Sequence, residues 1–180
     1  MNKILVLSTS CKPGGGPQGY TYNLKKGIES LGYSSSFSFW SLSNQETRTN
    51  NINFSKEKIL LIIPSRLKQI LILFGLLKTF LRFRLNRELI KKIKNSDTII
   101  INDQSFFFFI NFIIKRKKKL IYMQHTPTSW TEEVIASSNL KYYNLLSFFL
   151  KIVERKFFIT SYRIIIPSIN SINSYDLFGI

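Results

Sequence analysis

Acidic residues are the scarcest charged class in this 180-residue chain, with 10 Asp and Glu against 26 Lys and Arg and a formal net charge of +16. Such an imbalance asks for an anionic partner: nucleic acid, an anionic membrane surface or a phosphorylated substrate. Heavy use of Phe, Ile, Lys and Asn, as an AT-rich genome produces, tempers the charge argument. Cysteine occurs once, at Cys11, so no intramolecular disulfide can form and a reducing, cytoplasmic setting fits. Histidine also occurs once, at His125, and one Cys with one His cannot make a structural zinc site. Long apolar runs are missing too. Lys3 is followed by only four apolar residues, too few for the core of a signal peptide, and the longest apolar run of the helical region, residues 70–77, is far short of the ~20 a membrane span needs. With 44% hydrophobic residues, intrinsic disorder is excluded, and no internal repeat is visible.

What is present is an alternation of short apolar runs and helical patterns. Residues 3–8, 58–63, 98–102, 120–124 and 163–167 read as buried strands, and residues 33–42, alternating small polar and aromatic side chains, as one more. Between them lie helical patterns at 20–31, 65–94, 106–114 and 140–160, with another starting at 168. Residues 43–55 and 128–139 read as polar loops and 115–119 (KRKKK) as a basic turn. Within 65–94, Leu67, Ile70, Phe74, Leu77, Leu81, Leu85 and Leu89 fall on one face. Arg84, Arg87, Lys91 and Lys94 fall opposite. The first half of that stretch is apolar nearly all round, which fits a buried helix, two packed helices or a helix lying in a membrane interface. The helical pattern at 140–160 carries its expected stripe at Leu145, Phe148, Phe149, Ile152, Val153 and Phe157.

Strands alternating with helices imply an α/β fold, a parallel sheet sandwiched by helices, whose ligands bind beyond the strands' C-terminal ends. Gly14 to Gly16, Asn102 to Gln104, His125 and Ser168 all collect at that edge. Gly14-x-Gly16-x-x-Gly19 formally matches the dinucleotide fingerprint G-x-G-x-x-G. However, its first glycine lies several residues past the strand, and residues 36–43 lack the acid that would hold a ribose. A P-loop fails because Tyr20-Thr21 stands where Lys-Ser/Thr is required. An anion site at a helix N-terminus and a ligand-free tight turn both remain open.

The strand at 3–8 followed by Pro13-Gly-Gly-Gly-Pro-Gln-Gly-Tyr20 resembles the opening of the N-terminal domain of GT-B glycosyltransferases of the family-4-like group. Three further segments are similar in order: residues 97–102, the strand before the acceptor-side loop; residues 121–127, a strand ending in His125-Thr-Pro; and residues 154–168, a helix, a strand and Ser168. The resemblance covers essentially the whole chain. It implies a Rossmann-like domain over residues 1–180, forming the acceptor-side half of the enzyme. The second domain of such enzymes binds most of the nucleotide through a basic pair and E-x7-E. No glutamate here has another eight positions later, so a donor-binding C-terminal domain is expected to be absent from the chain, which alone should be inactive.

By this resemblance, a sugar passes with retention from a nucleotide-sugar donor to a lipid-linked or glycan acceptor, in cell-surface polysaccharide synthesis such as lipopolysaccharide, without metal or cofactor. Gly14, Gly15 and Gly16 would lie beside the donor diphosphate, with His125 and Ser168 also on the donor. His125 and Asp103 are the catalytic candidates. The rival reading of His125 is structural, and that of Asp103 a loop cap. Adjacent Glu132 and Glu133 read as solvated. Arg82, Arg84, Arg87, Lys91 and Lys94 would face an anionic membrane or the acceptor, placing the protein in the cytoplasm at the inner membrane face. The alternative is a non-catalytic membrane-interface or partner-binding domain of the same fold. Charge alone would also allow nucleic acid, but no helix-turn-helix or other nucleic-acid signature is present, and the aromatics do not alternate with the lysines.

Overall fold

A computed structural model describes residues 2–41, 64–113, 118–125, 128–138, 140 and 145–166. Their core is a five-stranded sheet in which every pairing is parallel: β1 (Ile4–Ser8), β2 (Phe37–Ser41), β3 (Thr98–Ile101), β4 (Lys119–Met123) and β5 (Arg163–Ile165), in the order β2-β1-β3-β4-β5. Six helices accompany it among the described residues: α1 (Gly16–Ser30), α2 (Ser65–Leu85), α3 (Arg87–Lys94), α4 (Phe107–Ile113), α5 (Trp130–Ser137) and α6 (Leu145–Thr160). The molecule has the expected α/β, Rossmann-like architecture. From β1 the chain winds outward to β2 and then crosses back to β3 on the other side. The C-terminal ends of β1 and β3 therefore flank a topological switch point, where such sheets leave a crevice.

The strands form where apolar runs permit burial. Side chains alternate across the sheet, so Leu5, Leu7, Ile99, Ile101, Leu120 and Tyr122 enter one apolar cluster with the helices. Aromatic rings fix the helices over that face. Phe83 of α2 stacks on Phe106 at 4.7 Å, and Phe107 of α4 stacks on Phe157 of α6 at 4.0 Å.

Several expected elements are displaced. The first helix begins at Gly16, not Tyr20, because Pro17 sits in its first turn, where its fixed φ suits a helix and its missing N–H costs nothing. The long helix expected over 65–94 breaks at Asn86, which turns extended (φ −76°, ψ 99°) while its side chain accepts from the Leu89 N–H and caps α3. The apolar face read over 65–94 is mostly in water along α2, where Leu67, Ile70, Phe74, Leu77, Leu81 and Leu85 are 46–76% exposed. Ile72, Leu76, Phe80 and Phe83 pack inward instead. A helix apolar on every side offers periodicity no preferred face, and the docking of Phe80 and Phe83 on the α4 region chooses it. The stripe of α6 holds in part: Phe149, Val153 and Phe157 pack inward as expected, joined by Leu146, Leu150 and Phe158, while Leu145, Phe148 and Ile152 are exposed. Residues 130–137, expected within a loop, form α5. The strand at 58–63, the loop at 43–55, most of the basic turn and the helix after 168 lie outside the described residues.

Candidate functional site

Three strand ends and one helix start build the site. Asn102 follows β3, its backbone N–H extending the ladder to the Leu7 carbonyl at 2.9 Å. Its carboxamide is 1% exposed and points at the start of α1. There Nδ2 donates to the Pro17 carbonyl at 2.8 Å and to Thr21 Oγ1, and the Thr21 hydroxyl itself donates to the Pro17 carbonyl at 2.9 Å. A carbonyl only accepts, so the amide nitrogen must face Pro17, and Oδ1 is left facing His125 Nε2, its hydrogen-bond partner. That ring nitrogen must therefore carry the proton.

Burial lowers the His125 pKa from its ordinary 6.5, against an opposing pull from the Asp103 carboxylate. At neutral pH the ring is uncharged, with Nε2–H given to Asn102 and Nδ1 a bare acceptor. Tyr20 lies beside it, ring centroids 5.2 Å apart. The structure thus links the glycine turn to His125 through Asn102 and Pro17.

Within the turn, Gly14 (φ +143°) and Gly16 (φ +66°) hold backbone conformations that other residues rarely adopt, and Gly15 is the N-cap of α1, with no side chain capping that end. Gly19 matters for a different reason. A Cβ on it would stand 1.7 Å from the Gly14 carbonyl oxygen, so the turn lies directly on the helix. Asp103 accepts from Thr9 Oγ1, from the Ser105 hydroxyl and from the Ser105 N–H at 2.8 Å, which caps the 3-10 turn Gln104–Phe106.

Beside these groups opens a cavity of about 710 Å³, lined among others by Pro17, Asn102, Asp103, His125, Glu132 and Glu133. Among the described residues, neither the glycines nor any Lys or Arg line it. Its far wall is α5, which a capping box starts: the Glu132 N–H donates to Ser129 Oγ at 3.2 Å and the Ser129 N–H to Glu132 Oε2 at 3.0 Å. Glu132 and Glu133, expected to be solvated, are half-buried and border the cavity. Glu154 of α6, 1% exposed, accepts from the Trp130 N–H (2.8 Å), the Thr131 N–H (3.1 Å) and the Thr131 hydroxyl (2.7 Å), pinning the start of α5. Burial raises its pKa even though these bonds favour the ionised form.

The site brings together His125, Asp103 and the glycine turn, while Ser168 and the Thr126-Pro127 pair lie outside the described residues. Sequence reasoning undervalued Asn102, Thr21 and Gly19, and it missed α5 although Ser129-Trp-Thr-Glu132 spells out a capping box. Arg82, Arg84, Arg87, Lys91 and Lys94 are all exposed and do not line the cavity. Among the described residues, no three His, Cys, Asp or Glu side chains cluster as metal ligands would, and no helix is long and apolar enough to cross a membrane. Compared with known proteins, the chain matches no family model, no curated protein and no solved structure.

Proposed function

We propose that the chain is the acceptor-side, N-terminal half of a GT-B glycosyltransferase, serving transfer of a sugar from a nucleotide-sugar donor to a lipid-linked or glycan acceptor in cell-surface polysaccharide synthesis. The observation that supports this best is the neutral His125, held by Asn102 beside a carboxylate-bordered cavity at the strands' C-terminal ends, with no Lys or Arg lining it among the described residues. Such a cavity suits an uncharged polyhydroxylated group. Hydroxyls can donate to Nδ1 and to the carboxylates, whereas a phosphate there would meet negative charge and no cation.

In this reading the phosphates lie at the glycine turn, where the Gly15 and Gly16 N–H groups stabilise charge that grows on the leaving diphosphate. His125 fixes the donor sugar, Asp103 lies toward the acceptor hydroxyl, and a separate nucleotide-binding domain supplies most of the donor affinity. Saturation-transfer NMR of the purified chain with a panel of neutral saccharides, nucleotide sugars and NAD tests it. Saccharide signals that vanish in His125→Ala, with the circular dichroism unchanged, are expected. Binding of NAD in preference to every sugar would overturn the reading.

A further inference from the structure

Two surface features lie side by side, and none of their residues lines the cavity. Along α2, Ile70, Leu71, Phe74, Leu77, Leu81 and Leu85 are 45–76% exposed, and on α4 Phe112, 61% exposed, extends the apolar skin through its ring contact with Phe80. Where α2 gives way to α3, Arg84, Arg87, Lys91 and Lys94 line a hollow of about 320 Å³ with Ile90 and Asn95, and among the described residues no acid lines it. Arg84 lies one turn from Leu81 and next to Leu85, so apolar and cationic surfaces are continuous.

We propose that this surface seats the protein on an anionic lipid bilayer, with the exposed flank of α2 entering the headgroup–acyl boundary and the hollow receiving lipid phosphate. Apolar side chains this exposed call for an apolar partner, and the four cations beside them specify an anionic one. A second copy of the chain fits poorly. A two-fold contact through the same face would bring Arg84, Arg87, Lys91 and Lys94 of each copy against their equivalents. Spanning is excluded for α2 because Arg66, Lys68, Lys78, Arg82 and Arg84 punctuate it, so the helix lies along the surface. This inference stands independently of the transferase reading, since no cavity residue takes part.

Sedimentation of the full chain with sucrose-loaded vesicles tests it, using phosphatidylcholine alone or mixed in equal parts with phosphatidylglycerol. The protein should follow the mixed vesicles and bind neutral ones at least about tenfold more weakly. Replacing Arg84, Arg87, Lys91 and Lys94 by Ala should weaken binding to the mixed vesicles by roughly fivefold for each charge removed. Phe74→Ser with Leu77→Ser should abolish binding to either vesicle. All six side chains are exposed, so circular dichroism should not change. Wild-type protein that stays in the supernatant with mixed vesicles overturns the proposal. So does a dimer in solution that the Phe74→Ser, Leu77→Ser variant dissociates, which would make this face an interface between copies.

Discussion

The glycines of the turn are not equivalent, and the difference is measurable. Gly15 has φ −91°, and a Cβ there would meet nothing within 4 Å, so in Gly15→Ala the gain through the unfolded chain and the loss of a favourable N-cap glycine should leave stability within about 0.5 kcal/mol of wild type. Gly19→Ala drives a Cβ into the Gly14 carbonyl, 1.7 Å away, and must push the turn off the helix. A loss of at least ~2 kcal/mol is expected in thermal or urea unfolding. His125 makes a second prediction at this scale. Its NMR titration should have a midpoint below the ordinary 6.5, and Asp103→Asn should lower it further, because the Asp103 charge is what opposes the effect of burial. The sign for stability follows. Between the depressed folded value and 6.5 the unfolded chain binds the proton more readily, so this residue's contribution to stability falls as pH drops through that window. A midpoint at or above 6.5 would contradict the desolvated, Asn102-bound ring.

Among the elements, α5 depends on groups from its own start and from α6. Glu154 presents acceptors to three donors, and Gln there would turn an NH₂ toward at least one of them, costing about 1–3 kcal/mol in urea denaturation. Ser129→Ala, which removes the capping oxygen, should cost about 1 kcal/mol. Because the folded Glu154 pKa is raised, the unfolded chain releases its proton first. The wild-type contribution of this residue therefore falls as pH rises from 4.5 through the folded value, and Glu154→Gln should remove that slope.

The same elements show what a single sequence conveys. β1, β3 and β4 were legible because each is written as a short unbroken apolar run, buried on both faces in β1 and at alternate residues in β3 and β4, and the parallel sheet follows from their alternation with helices. The buried side of α2 was not, and that of α6 only in part. With Leu, Ile and Phe on every side, the choice is made by ring contacts between elements distant in sequence, such as Phe83 with Phe106. His125, Asp103 and the glycines could be found as polar residues at strand ends. Asn102 could be placed at that edge too, but its role in tying the glycine turn to His125 could not, since the link runs through a hydrogen bond between residues 85 positions apart.

At the scale of the whole molecule, charge is distributed so that the two proposed surfaces answer differently to salt. Among the described residues, the cavity at the strands' C-terminal ends is bordered by Asp103, Glu132 and Glu133 with no Lys or Arg on its wall, whereas Arg84, Arg87, Lys91 and Lys94 share one open hollow on α2 and α3. A saccharide in the cavity is uncharged and would be held by short hydrogen bonds, which screening barely touches. A bilayer attracts exposed cations across water, over a distance that shrinks from ~30 Å at 0.01 M salt to ~3 Å at 1 M. Raising the salt across that range should therefore weaken sedimentation with phosphatidylglycerol vesicles by more than about tenfold. The saccharide affinity, measured by NMR titration on the same protein, should change by less than about twofold. A parallel loss of both would mean that the cavity ligand is itself anionic and that the cations, not His125, hold it.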